Sequence, residues 1–153
     1  MTIIERRVYL EPKYLDENIM THLLKKVSTT TIGECTKDYG YILSVNKIVQ
    51  ILNNEDTIFT LLFDADTLKP ETGSKLDGIV CMVYKDGIFV NVLNRQKVLI
   101  PSVTLKNYSF DEILATYVGS NSNSNIKQGD KITVIISAVK FSKKGFICVG
   151  SLV

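Results

Sequence analysis

Asp64 and Asp66 stand one residue apart in the run Phe63-Asp-Ala-Asp-Thr67. On an extended chain successive side chains point to opposite faces, so these two carboxylates share one. Paired carboxylates can begin a site for a hard divalent cation, which takes oxygen ligands. No further ligands flank the pair. An exposed strand face near a partner is the simpler reading, and a small metal-dependent enzyme ranks last among the functions considered.

Softer donors are as sparse. There is one histidine, His22, and three cysteines, Cys35, Cys81 and Cys148, without a Cys-x-x-Cys pair. A tetrahedral zinc site would need four ligands from this stock. The thiols read as reduced side chains buried on strands. Acyl transfer needs an activated nucleophile and a positioned base, yet His22 falls beside the apolar stripe of a helical segment. No Gly-rich phosphate loop of the Walker type is present. The chain is therefore read as carrying no catalytic residue, no metal and no cofactor.

Binding chemistry is better represented. Tyr84 and Phe89 are aromatics on two neighbouring strand segments, and nucleobases stack on such rings. Phe in an apolar strand is ordinarily core, so Phe89 is expected toward the interior and Tyr84, beside a turn, toward the surface. Lys85, Arg95, Lys97, Lys143 and Lys144 lie at or beside turns. Each alone reads as solvated charge, but together they could track phosphates. The net charge is only +2, so any nucleic-acid contact has to come from a local patch.

The elements that position these residues fall into two groups. Ile3 to Leu10 has a strand pattern that Pro12 ends. Ile19, Met20, Leu23, Leu24 and Val27 repeat at helical spacing. Asp16 is a plausible N-cap of that helix, Lys25 and Lys26 suit its C-terminal end, and Thr29 to Thr31 favour extended chain. A short strand over Ile32 to Cys35 follows, then long ones over Tyr39 to Leu52 and Ile58 to Leu68, with a polar tip at Asn53 to Asp56. A Pro- and Gly-bearing segment, Lys69 to Ser74, suits a boundary.

Beyond it the pattern is all β. Strands are expected over Lys75 to Tyr84, Ile88 to Leu93, Lys97 to Ile100, Lys131 to Phe141 and Phe146 to Leu152. An irregular stretch begins at Pro101, and Gly119 to Asn125 reads as a mobile Ser/Asn loop. Five strands with a long insertion after the third is the pattern of an OB barrel. The expected class is α+β, mostly β: a small strand-helix-three-strand domain over 1–72, then a five-stranded OB-type barrel over 73–153.

The first twenty residues carry too many charges for a secretory leader, and no apolar run is long enough to cross a bilayer. An intracellular chain with no membrane partner is expected, in nucleus or cytoplasm, or in a virion or viral factory.

The run Gly33-Glu-Cys-Thr-Lys-Asp-Tyr-Gly-Tyr-Ile-Leu-Ser-Val45 resembles the first domain of the stalk subunit of multisubunit DNA-dependent RNA polymerases. That family unites the archaeal stalk protein with the seventh-largest subunit of eukaryotic RNA polymerase II. Leu10-Glu11-Pro12 and the helix precede the run at the matching distance. Phe63 to Pro70 resembles the exit from that domain. Leu76-Asp77-Gly78-Ile79-Val80 and Asp86-Gly87-Ile88-Phe89-Val90 look like the start of the family's second domain, an OB barrel, and Lys131 to Val153 like its close. The chain is shorter than many members and resembles a minimal form, as a viral member would be.

The resemblance implies a non-catalytic subunit. Its first domain would dock on the large polymerase subunits and pair with a small helical stalk partner. Its barrel would face emerging single-stranded RNA. Docking is expected at one of two polar turns: Thr36, Lys37 and Asp38, or Asn53, Asn54, Glu55, Asp56 and Thr57. RNA-binding relatives usually have an aromatic where Asp86 stands and often a histidine near Pro101. Asp86 repels phosphate and cannot stack a base, so weak, charge-driven RNA contact is expected. A free-standing RNA-binding OB-fold protein, such as a translation factor, is the alternative.

Overall fold

In a computed structural model, residues 2–120, 124–143 and 145–153 are described. The chain divides into two compact units, Met1–Lys69 and Pro70–Val153. Among the described residues no helix is long and apolar enough to cross a membrane.

The N-terminal unit is one helix on a four-stranded antiparallel sheet. Its elements are β1 (Thr2–Tyr9), α1 (Ile19–Thr31), β2 (Cys35–Thr36), β3 (Gly40–Glu55) and β4 (Ile58–Leu68), and the sheet order is β1-β4-β3-β2. Central strand β4 turns Phe59, Leu61, Phe63 and Ala65 inward at alternate positions. Ile4 and Val8 of β1 lie opposite Phe63 and Phe59 and share their face. Leu23 and Val27 of α1 close over this layer and are fully buried. Burying each such side chain contributes about 1.5–3 kcal/mol.

Strand β3 has more residues than β4, and its pairing with β4 slips at four bulges that take up the excess. Each bulge adds a residue on β3 alone and increases the local twist. At its start Gly40 has φ +76°, and a Cβ there would collide with the Leu68 carbonyl oxygen. Only glycine suits so close an approach in that conformation.

Several expectations for this unit are corrected. Helix α1 begins at Ile19 and continues through Thr31, where extended chain was expected. The hydroxyls of Thr29, Thr30 and Thr31 donate to the carbonyls of Lys25, Lys26 and Val27, four residues back, so threonine joins the helix without an unmet donor. Asp16 is not the N-cap. Asn18 holds that position without a side-chain cap, and Asp16 Oδ1 accepts from the Asn18 N–H at 2.8 Å. Lys25 and Lys26 are thereby mid-helix, and Met20 is exposed. The polar tip is narrower than expected, since Asn53 to Glu55 still pair as strand.

The C-terminal unit is a closed barrel of β5 (Lys75–Tyr84), β6 (Gly87–Val92), β7 (Gln96–Pro101), β11 (Lys131–Ser142) and β12 (Gly145–Leu152), ordered β11-β12-β7-β6-β5 and closed between β5 and β11. Val80, Ile88, Val90, Val98, Ile100, Val134 and Ile136 fill its interior. Cys148 lies among the buried residues, and burial pushes its thiol up to about 11.

The stretch after β7, expected to be irregular, holds a small antiparallel sheet of β8 (Tyr108–Asp111), β9 (Thr116–Gly119) and β10 (Asn125–Ile126). Short paired strands satisfy backbone groups that an irregular segment would leave unmet. The expected Ser/Asn loop shrinks accordingly: Gly119 ends β9, Asn125 begins β10, and residues 121–123 lie outside the described residues.

Candidate nucleic-acid interface

Strand β6 decides which barrel residues face outward. Ile88, Val90 and Val92 are buried, so Phe89 and Asn91 between them stand on the outer face. Phe89 is therefore half-buried on the outside, contrary to its expected place toward the core. Directly opposite residues share a face, which sets Met82 of β5 and Leu99 of β7 beside Phe89. Tyr84 meets the Phe89 ring edge to face, with centroids 6.3 Å apart and planes at 86°. Its hydroxyl donates to Met82 Sδ at 2.8 Å. Lys97, opposite Asn91 and exposed, places a cation on the same face.

This arrangement can stack a base on Phe89 or Tyr84 and hold a phosphate at Lys97. The alternation in β6 was the available signal for Phe89. Met82, Asn91 and Leu99 were not singled out by the sequence, since their relevance depends on register.

The other cations do not form one patch. Lys85 sits at the β5–β6 turn, where Gly87 pairs with Pro101. Arg95 occupies the β6–β7 turn at the opposite end, roughly 17 Å away along β6. The turn carrying Lys143 joins Arg95 there, because Gln96 Nε2 donates to the Phe146 carbonyl at 2.9 Å and β12 runs parallel beside β7. Lys143 is exposed, and Lys144 lies outside the described residues. Lys85 is left beside Asp86.

A buried tyrosine braces the Lys85 end. Tyr117 of β9 directs its hydroxyl to the carbonyls of Tyr84 and Lys85, at 2.5 and 2.9 Å. Burial raises its phenol pKa, and the nearby Asp86 charge raises it further.

The two expected docking turns are separated. Thr36 closes β2, and its Oγ1 accepts from the Tyr39 N–H at 3.1 Å; Lys37 and Asp38 follow in the turn. Asn53, Asn54 and Glu55 end β3, and Asp56 and Thr57 make the turn into β4. The two sets therefore lie at opposite ends of the sixteen-residue β3, on the order of 50 Å of strand contour. Exposed Val49, Leu52 and Ile58 accompany the second set.

Asp64 and Asp66 do share a face, but their surroundings differ. Asp66 is exposed and accepts from Ser44 Oγ and Asn46 Nδ2 at 3.1 and 3.2 Å. Asp64 is buried, and its Oδ1 has no hydrogen-bond partner among the described residues. No cluster of three or more His, Cys, Asp or Glu side chains suited to a metal occurs among the described residues.

The barrel has counterparts among known proteins. Residues 69–148 match the S1 RNA binding domain. Over nearly the whole chain the sequence is 22% identical to the DNA-directed RNA polymerase II subunit rpb7 of Dictyostelium discoideum, covering 97% of this chain and 91% of that one. It is likewise 22% identical to subunit RPB7 of Glycine max, covering 98% and 89%. An apo form of Mycoplasma genitalium RNase R resembles it with a TM-score of 0.46 at 22% identity, over 54% of this chain and 13% of that one, a likeness too slight to build on. The chain belongs to the S1 RNA-binding-domain family, and over nearly its whole length it is similar to RPB7 subunits of RNA polymerase II.

Proposed function

We propose that this chain is a non-catalytic stalk subunit of a DNA-dependent RNA polymerase. It docks on the large subunits through its N-terminal unit and presents the outer face of its barrel to the exiting transcript. The observation that carries this is the Phe89–Tyr84 pair with Lys97 on the outside of an S1 barrel, within a chain aligned almost end to end with polymerase subunits.

Docking is assigned to the Asn53–Thr57 end of the sheet. There the polar turn is flanked by exposed Val49, Leu52 and Ile58, and an apolar patch rimmed by polar residues suits a protein partner. The Thr36–Asp38 turn has one exposed large apolar neighbour in sequence, Ile32. Pairing with a small helical partner subunit belongs to the same reading, as does work wherever such a polymerase transcribes. Single-stranded RNA would be held weakly, by stacking on Phe89 and charge at Lys97, with Asp86 limiting the Lys85 end.

Affinity purification of the tagged chain from its native source tests the assignment. Large polymerase subunits should co-purify in equal amounts, and Leu52→Asp with Ile58→Asp should release them. Recovery of the parent chain as a free monomer would refute it.

A further inference from the structure

One row of side chains crosses the outer face of the barrel. Lys97, Asn91, Ile79 and Lys131 stand directly opposite one another on β7, β6, β5 and β11, so all four share that face. Phe89 precedes Asn91 by two residues and stands on the same face, about 7 Å along the strand. Asp77, two residues before Ile79, also faces outward and lies opposite Thr133, whose hydroxyl donates to Asp77 Oδ1 at 2.5 Å. Asp77, Ile79, Asn91 and Lys131 line a single cleft of about 720 Å³, together with Leu93 and Asn94 of the turn into β7.

The cleft combines apolar walls with a short set of hydrogen-bonding groups. Ile79 and Leu93 are both exposed in it, leaving apolar surface against which a flat ring can lie. Leu93 holds φ +52°, a conformation that a bulky side chain seldom adopts. Asn91 Nδ2 donates to Asn94 Oδ1 at 3.3 Å. Among the described residues this leaves Asn91 Oδ1 as an acceptor, Asn94 Nδ2 as a donor and Asp77 Oδ2 as a second acceptor, each without a protein partner. Two acceptors beside a donor complement an edge that offers two donors beside an acceptor. Guanine has that edge, with N1–H and the N2 amino group next to O6, whereas adenine, cytosine and uracil each offer a single donor group there.

We propose that this cleft is a guanine-selective subsite beside the Phe89 platform. The inference rests on the reading of the barrel's outer face as the RNA surface and adds base selectivity to it. Asp77 and Asn91 accept from the guanine N1–H and N2 amino group, Asn94 donates to O6, and Ile79 and Leu93 flank the ring. The neighbouring base of the strand stacks on Phe89. Lys97 and Lys131, exposed at the two ends of the row, take the adjoining phosphates.

Fluorescence anisotropy with the full chain tests this. The probes are an oligouridylate of roughly ten nucleotides, the same oligomer with one central guanosine, and the same with one central adenosine. The guanosine oligomer should bind roughly tenfold more tightly than the other two. Asp77→Asn keeps an oxygen for Thr133 but sets an amide donor against the donors of guanine, so the preference should fall to about onefold. Asn91→Ala should reduce it likewise. In the ¹⁵N-labelled full chain the side-chain amide signals of Asn94 should shift with the guanosine oligomer and stay in place with the oligouridylate. Equal binding of the three oligomers, with Phe89→Ala still weakening all of them, would overturn the subsite and leave the barrel reading intact. A guanosine preference that survives both substitutions would overturn the assignment to this cleft. Absence of binding by every oligomer would overturn the subsite and the RNA reading of the barrel together.

Discussion

The hydroxyl of Tyr117 donates to the backbone carbonyl of Lys85 at 2.9 Å, tying the inserted sheet to the turn that carries Tyr84. The same hydroxyl also serves the Tyr84 carbonyl. Its single proton is thus shared between two carbonyls, and removing the hydroxyl takes a donor from both.

Tyr117→Phe should keep the barrel folded and lower its stability by about 1–3 kcal/mol, the cost of unmet polar groups near the interior. Denaturant unfolding measures this. An unchanged midpoint would mean that water replaces the hydroxyl without cost.

A second prediction separates stacking from charge on the barrel. Phe89→Ala should weaken single-stranded RNA binding by about 1–3 kcal/mol with the fold intact, because the ring is only half-buried on the outer face. Tyr84→Ala should have a smaller effect. Lys97→Glu should weaken binding and reduce the salt slope by about 1, whereas Lys85→Glu, already beside Asp86, should change it less. Fluorescence anisotropy at several salt concentrations checks both. Equal losses at Lys85 and Lys97 would contradict the division of the cations between two ends.

The third concerns alkaline pH. Burial holds the Cys148 thiol up at about 11 from an ordinary 9.0, and burial with Asp86 also raises Tyr117. The folded state thus keeps these protons more tightly than the unfolded chain. For Cys148 the stabilising contribution is complete below pH 9 and is lost as pH rises toward 11. Melting temperature should fall across that window, and less steeply in Cys148→Ala. An identical slope in the variant would show that the thiol contributes nothing to it.

Much of this architecture is legible in the sequence because burial imposes a period. The alternation Phe59, Leu61, Phe63 marks β4, and the Asp86-Gly87 turn marks the start of β6. Other features were hidden by local rules that tertiary contacts override. Three consecutive threonines predict extended chain, yet in α1 their hydroxyls return to carbonyls four residues back and Thr31 joins the core. The small β8-β9-β10 sheet has strands of only two to four residues, too short for a period to register. Phe89 was legible as an aromatic on β6 but not as an outward one, because Phe in an apolar run defaults to core. The platform around it depends on strand register, which pairs Met82 and Leu99 with it across two different neighbours. The separation of the two polar turns was equally invisible, since it follows from the length of the bulged β3.

Photocrosslinking from the barrel's outer face tests the central claim most directly. A photoreactive phenylalanine analogue is placed at Phe89, and in a control at the exposed Ile113 of the inserted sheet, in chain assembled into the transcribing polymerase. Crosslinking of position 89 to newly made RNA, well above that of position 113, is the result expected for a stalk subunit that meets its transcript on β6. Equal labelling at both positions, or RNA crosslinked only to position 113, would contradict the account.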